Sequence, residues 1–320
     1  MSFTLTQVGQ YQVSVTFRGK HLQGSPFTLE VMDRPVYRRD YSKVSDQAVS
    51  QFGSQGSGDG QFQRPYSVVC NLRGDIVVTG RNNQRVQVFD RNGKFLFKFG
   101  SKGNGNGQFD RPCGVTVDQR NNQIVVADTW NNRIQIFDEK GTFLRKFGSY
   151  GKGDGQFRYP FGIVVDQQGN YVVTDCSNHR IHIFNSQGQF IRKFGSEGTG
   201  NGQMNGPVGV GLLSNGNIVV ADDNNRVQIF DFEGNFVRIV GAGQVRNPWH
   251  LFVDSDENIL VADNAIIAFK YSTKMAITSK QLELDRSSLL VFAWIVREGL
   301  LSAKPLPTKS RSFSPFQKNF

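Results

Sequence analysis

The chain has 320 residues, 38% of them hydrophobic, a net charge of +10, 35 Gly and 27 Phe. Glycine at that level without a three-residue period excludes a collagen-like chain, and with so many aromatics it favours an all-β chain with many tight turns. Cys70, Cys113 and Cys176 are too scattered for a disulfide framework or a cysteine-based zinc site, and the longest apolar run, Leu289 to Val296, is too short to span a bilayer.

Residues 1–33 hold short alternating apolar runs, and 34–47 read as a linker. From residue 48 the chain repeats itself. A proline follows each Gly-rich stretch at Pro65, Pro112, Pro160, Pro207 and Pro248. An aromatic ends an apolar run at Phe89, Phe137, Phe184 and Phe230. Both landmarks give a period of about 47 residues, which identifies tandem supersecondary units. The third copy divides into runs at Gly162–Asp166, Tyr171–Thr174, Arg180–Phe184 and Phe190–Phe194, separated by turn residues. Four strands in that length make one blade of a β-propeller. The first two runs predict strands buried on both faces, and the alternation of the third, with His182 opposite Ile181 and Ile183, predicts a wetter face. Four copies are complete. A fifth has runs at Leu251–Asp254, Ile259–Asp263 and Ile266–Tyr271, and its fourth strand is expected from Ala48–Phe52. The propeller is thus placed at 48–271, and 272–320 reads as a non-repeating tail with a helical candidate at Leu289–Leu301.

The charge is uneven. Residues 62–147 carry 14 basic and 7 acidic groups, whereas 148–271 carry 9 and 12, so one side of the propeller is predicted to be basic. The loops leading into the blades and those joining second to third strands share one face. They supply Arg64, Tyr66, Arg111, Tyr159, Phe161 and Trp249, and Arg81, Trp130 and His179. Guanidinium groups among aromatic rings suit single-stranded nucleic acid, phosphate on the cations and bases on the rings. The same residue types also mark protein interfaces. Asp128/Arg133, Asp175/Arg180 and Asp222/Arg226 recur and read as structural pairs across a hairpin. Gly80 breaks that pattern in the first blade, which predicts an Arg85 free for phosphate. The stretches Gly103–Gly107 and Gly151–Gly155 lack the G-K-[ST] ending of a phosphate loop and read as turns between blades. His21, His179, His182 and His250 have no metal-ligand spacing, and no G-x-S-x-G occurs, so no catalytic site, metal or cofactor is expected.

A known family carries this pattern. Copy two, with Gly107–Gln108–Phe109, Pro112, Gly114–Val115, Val117–Asp118, Val125–Asp128 and Asn131–Ile134, resembles the NHL repeat. Gly9–Gln10–Tyr11, Val13, Val15 and Gly24–Phe27 resemble the end of a filamin-type immunoglobulin-like repeat. That order of modules resembles the C-terminal half of the TRIM-NHL proteins. The resemblance implies a non-catalytic binding platform for RNA, or for protein clients of a RING ubiquitin ligase. It implies neither DNA nor membrane as partner, and with no leader sequence in view the expected compartment is the cytoplasm. The family norm is six blades and five are recognisable here. With no RING residues and only two filamin-like strands, the chain reads as a fragment, and a genuine five-bladed ring is the competing reading. The expected ligand residues are Arg64, Tyr66, Arg81, Arg85, Arg111, Trp130, Tyr159, Phe161, His179 and Trp249.

Overall fold

Runs such as Ile76–Gly80, Gln123–Asp128 and Ile218–Asp222 are rich in β-branched residues and bounded by turn residues, so each forms a strand rather than a helix. The computed structural model describes residues 52–263 in full and, by backbone alone, the strands Gly9–Val13, Thr16–Phe17, Lys20–His21, Phe27–Val31, Ala268–Thr273 and Ala276–Gln281. The predicted linker and the helical candidate at Leu289–Leu301 lie outside the described residues. The chain divides into two units, Met1–Asp40 and Tyr41–Phe320. In the first, Gly9–Val13 pairs antiparallel with Phe27–Val31, and Thr16–Phe17 with Lys20–His21.

Among its described residues the second unit contains five antiparallel sheets of four strands, each in sequential order. Blade 1 runs Pro65–Cys70, Ile76–Gly80, Arg85–Phe89, Phe95–Phe99. Blade 2 is built from Val115–Asp118, Gln123–Asp128, Arg133–Phe137 and Phe143–Phe147. Blade 3 spans Pro160 to Phe194, blade 4 Val210 to Val240, and blade 5 Pro248 to Gln281. Blade 5 therefore takes its fourth strand, Ala276–Gln281, from downstream and not from the residues before blade 1, and the propeller runs past 271.

First strands of successive blades lie side by side. A Cβ on Gly114 would collide with the Phe161 carbonyl, and one on Gly162 with the Val208 carbonyl, so glycine is what permits this approach. Buried threonines stitch the same seam: Thr79 Oγ1 donates to the Cys113 carbonyl at 2.6 Å and Thr174 Oγ1 to the Val208 carbonyl at 3.1 Å. Apolar layers fill the gaps between blades. Val77, Val86 and Val88 of blade 1 meet Val115, Val117, Ile124 and Val126 of blade 2. Each fully buried side chain of this size contributes about 1.5–3 kcal/mol. The fourth strands of blades 1 to 3 end in a Phe laid over the hairpin glycine of the next blade: Phe99 on Gly141, Phe147 on Gly188, Phe194 on Gly234.

The third strands differ from expectation, since Arg85–Phe89, Arg133–Phe137, Arg180–Phe184 and Arg226–Phe230 are buried along their whole length. The polar residue there has an internal task. Gln135 Oε1 accepts from the Gly107 amide at 3.0 Å, and its Nε2 donates to the Gln108 carbonyl at 2.7 Å. Gln87 and Gln228 repeat this arrangement. The alternating, half-wet strand is the fourth, with Leu96, Leu144, Ile191 and Val237 exposed.

Blade 3 has His182 where blades 1, 2 and 4 have Gln. Its ring stacks among Phe157, Phe184 and Phe190, and neither ring nitrogen has a partner. Burial first, and then the charges of Arg180 and Lys193, lower its pKa to about 3. His182 is thus neutral when folded and protonates near 6.5 when unfolded, so the stability it allows above pH 6.5 is lost as pH falls toward 3. His182→Gln is expected to raise stability by about 1–2 kcal/mol at neutral pH by restoring two hydrogen bonds. The gain should widen between pH 6.5 and 4, measured by urea unfolding at several pH values.

Candidate functional site

In each of blades 1 to 4 one buried arginine fixes the loop that leads into it. In blade 2, Arg133 donates to the carbonyls of Asn104 (2.6 Å), Gly105 (2.8 Å) and Gln108 (2.9 Å). Asp128, wholly buried, accepts from Arg133 Nε at 2.8 Å, Asn131 Nδ2 at 2.9 Å, Gln135 Nε2 at 3.0 Å and the Asp110 amide at 2.8 Å. Asp175/Arg180 and Asp222/Arg226 are bonded likewise. These pairs are structural, as their recurrence predicts. The glycine-rich loops are turns, with the Gly103 amide on the Phe109 carbonyl and the Gly105 amide on Gln108 Oε1.

Arg85 is a correction. It is 8% exposed and donates to the carbonyls of Ser57 at 2.6 Å, Gly58 at 2.5 Å and Gln61 at 3.0 Å. Losing the aspartate at Gly80 leaves only its Nε without a partner, so the guanidinium is not free for phosphate. Asn83 takes over the rest of the missing role, accepting from the Gln63 amide and donating to the Gly56 carbonyl.

Tyr66 and Phe161 are also corrections, at 1% and 8% exposed. The residue after each proline turns inward to the propeller axis. Tyr66, Cys113, Phe161 and Val208 form one buried cluster, with half-buried Trp249 packed on it. Tyr66 lies 5.8 Å from Phe161, 6.2 Å from Trp249 and 5.1 Å from His250 between ring centroids. His250 is buried as well, which lowers its pKa to about 4. Trp249 is held by its Nε1 donating to Asn247 Oδ1 at 2.8 Å. His179 ties two blades: its Nδ1 accepts the Gly206 amide at 3.2 Å, as Asn132 Oδ1 accepts the Tyr159 amide and Gln84 Oε1 the Arg111 amide. Lining up those three positions in the repeats would have exposed this role.

The residue before the proline is more exposed: Arg64 and Arg111 face solvent, and Tyr159 is half-buried with one side against the same cluster. Arg64 (φ 53°), Arg111 (φ 47°) and Tyr159 (φ 58°) all sit in the left-handed region, where blade 4 has Gly206. A non-glycine residue there costs about 1–2 kcal/mol, and before proline the chain prefers extended backbone. Arg111 lies with its guanidinium carbon 4.0 Å from the Trp130 ring centroid, and Trp130 is 5.3 Å from Tyr159. A one-turn 3-10 helix, Thr129–Asn131, carries Trp130, which stays 40% exposed. Arg81 stands 5.8 Å over the Tyr66 ring. Arg64, Arg81 and Arg111 make no ion pair among the described residues. Partial burial, then the like charges of Arg81 and Arg111, hold the Arg64 guanidinium below its ordinary pKa.

The structure therefore brings together Arg64, Arg81, Arg111, Trp130 and Tyr159 across blades 1 to 3: three unpaired cations beside a partly exposed aromatic pair. Among the described residues no group of three His, Cys, Asp or Glu side chains could hold a metal ion.

Comparison with known proteins gives the same picture of the fold. A family model described as a 6-bladed beta-propeller matches residues 59–135, and the NHL repeat model matches 157–184. Protein lin-41 of Caenorhabditis elegans is 36% identical over 91 residues, 28% of this chain and 8% of that protein. The E3 ubiquitin-protein ligase TRIM71 of Rattus norvegicus is 40% identical over 90 residues, 28% of this chain and 10% of its own length. Protein brain tumor of Drosophila melanogaster is 33% identical over 78 residues, 24% and 8%. The matched stretch is thus about a tenth of these relatives. A virginiamycin B lyase from Staphylococcus aureus superposes with a TM-score of 0.53 at 15% identity, covering 69% of this chain and 71% of that one, a likeness of fold alone.

Arg85→Ala would take a donor from three lead-in carbonyls, of which Gly58 keeps the Gln61 amide and Gln61 keeps Gln87 Nε2. It is expected to lower stability by about 2–4 kcal/mol, read as a drop in the denaturation midpoint with no separate effect on ligand once the protein is folded.

Proposed function

From a chain that carries NHL repeats and is related to the TRIM-NHL proteins, we propose that the loop face of blades 1 to 3 binds single-stranded RNA. Arg64, Arg81 and Arg111 hold phosphates, and Trp130 with Tyr159 offers a platform for a base. One observation carries this reading: two of the three unpaired guanidiniums, and Tyr159, are displayed on left-handed backbone that glycine would adopt at lower cost. Phosphate is the partner that three mutually repelling cations lack. The platform would serve post-transcriptional regulation, as the relationship suggests. A second reading has one observation in its favour. Exposed Trp130 with Arg111 on its face has the composition of a protein hot spot, which would suit a client of a ubiquitin ligase.

Selection from a randomised RNA pool at two salt concentrations separates the two. RNA binding predicts an enriched motif whose affinity falls as salt rises, each phosphate contact adding about 0.7 to the log–log slope. Arg81→Ala should shrink that slope by about that amount, and Trp130→Ala should cost about 1–3 kcal/mol with the slope unchanged. Arg64→Gly is the sharper variant. It should weaken RNA binding while stability stays level or rises by up to about 1 kcal/mol, because relief of left-handed strain outweighs the chain entropy glycine adds. A folded protein that enriches no RNA, yet captures a protein through Trp130, would favour the second reading.

A further inference from the structure

Arg111 is the loop-face cation whose position is most closely fixed. Its backbone is left-handed before Pro112, and its amide donates to Gln84 Oε1 at 2.5 Å. Its guanidinium lies over the Trp130 ring, the central carbon 4.0 Å from the ring centroid, against 5.8 Å for Arg81 over Tyr66. The indole is fixed in turn. The Trp130 amide donates to the Asp110 carbonyl at 3.1 Å, and Asn132 Nδ2 donates to the Trp130 carbonyl at 3.2 Å. Asn132 Oδ1 accepts the Tyr159 amide at 3.0 Å, and the Tyr159 ring stands 5.3 Å from the indole. A guanidinium, an indole and a phenol ring are thus set in order on backbones bonded to one another from blade 1 to blade 3. An exposed cation–π contact returns less than left-handed backbone costs at Arg111 and Tyr159 together, so the stack does not offset its own strain. Strain held in place by the surrounding structure marks a working surface.

This geometry selects its ligand. A guanidinium laid on a ring at 4.0 Å turns its N–H groups outward along its edge, in its own plane. Whatever bonds to two of them lies in that plane, at stacking distance from the indole. A phosphate or a carboxylate bonds there but leaves the stacking level empty. A base bonded by its edge carries its ring over the part of Trp130 that stays exposed, so hydrogen bonds and stacking come together. The edge must offer two neighbouring acceptors. Guanine does so with O6 and N7. Adenine brings its N6 amine against the guanidinium, and uracil its N3–H. Cytosine has a like pair, O2 and N3, on a smaller ring.

We infer that Arg111 and Trp130 form a guanine-reading site for single-stranded RNA, with O6 and N7 on the guanidinium edge and the purine over the indole toward Tyr159. The inference rests on the RNA reading above and sharpens it: Arg64 and Arg81 keep the phosphates, and Arg111 reads a base.

Fluorescence anisotropy of the full chain with labelled RNA tests it. The probes are an oligouridine about twelve nucleotides long and its versions with one central guanine, adenine or cytosine. The guanine probe is expected to bind about tenfold tighter than the uridine and adenine probes, with cytosine between. A 7-deazaguanine probe, which lacks only the N7 acceptor, should lose most of that gain. Arg111→Lys keeps the charge but not the fork. It should melt at the parent's temperature, bind the oligouridine within about twofold of the parent, and bind the guanine and uridine probes alike. Free guanosine monophosphate, without neighbouring phosphates for Arg64 and Arg81, should compete about a hundredfold more weakly than the guanine probe. If the probes bind with no preference for guanine, or if Arg111→Lys retains the preference, the guanine site is wrong and the RNA surface stands. Equal competition by the free nucleotide would also overturn it. If no probe binds, the RNA reading fails and this inference with it.

Discussion

Each blade from the first to the fourth hangs its lead-in loop on one buried guanidinium, and most of the recognisable sequence serves that attachment. An arginine taken out of water must have its charge and its donors met, or the cost reaches several kcal/mol. Arg133 and Arg180 each spend two nitrogens on lead-in carbonyls and the third on a buried aspartate. That aspartate in turn needs donors, which explains the nearby Asn and the Gln of the third strand in blade 2. The D-x-x-N-N-R-I-Q-I-F pattern is therefore one hydrogen-bond network written along the chain. Blade 1 shows how far it tolerates loss: without an aspartate, Arg85 keeps its three carbonyls and Asn83 closes most of the gap.

Once the lead-in loop is fixed, the two residues flanking the proline have no choice of direction. The one after it is carried into the axis, where only an apolar or unpaired group can sit. In blades 1 to 4 the one before it sits in the left-handed region, with Arg64 and Arg111 exposed. Display and core thus meet across a single proline, with Arg64, Arg111 and Tyr159 each two residues before a member of the axial cluster.

This explains what could and could not be read from the chain. The period, the four strands per copy and the all-β architecture are local, and Pro, Gly and β-branched residues report them directly. The inward turn of Tyr66 and Phe161 is not local, because aromatic residues beside a proline look the same whether they face solvent or an axis made by four other blades. His179 was equally ambiguous alone, and only its alignment with Asn132 and Gln84 reveals an acceptor for the next blade's amide. For Arg85 the missing aspartate was legible, but the carbonyls that replace it lie 24 to 28 residues upstream. The polar residue of the third strand misled for a related reason: alternation signals a wet face only when no buried backbone needs a side-chain partner.

Where the network is satisfied, variation is confined to positions it does not use, and the most telling follows the aspartate or its blade 1 replacement. Blade 1 has Arg81 there, blade 2 Thr129, blade 3 Cys176 and blade 4 Asp223. All four follow equivalent second strands, so the frame places a cation, a hydroxyl, a thiol and an acid at matching points of the four blades. Only Thr129 is absorbed into the frame, donating to the Pro160 carbonyl at 2.7 Å. The uneven charge that the sequence spreads between its two halves puts Arg81 in blade 1 and Asp223 in blade 4 on this ring of positions. The chemistry of that ring is set by the blades' differences, while the frame that holds it is set by their repetition.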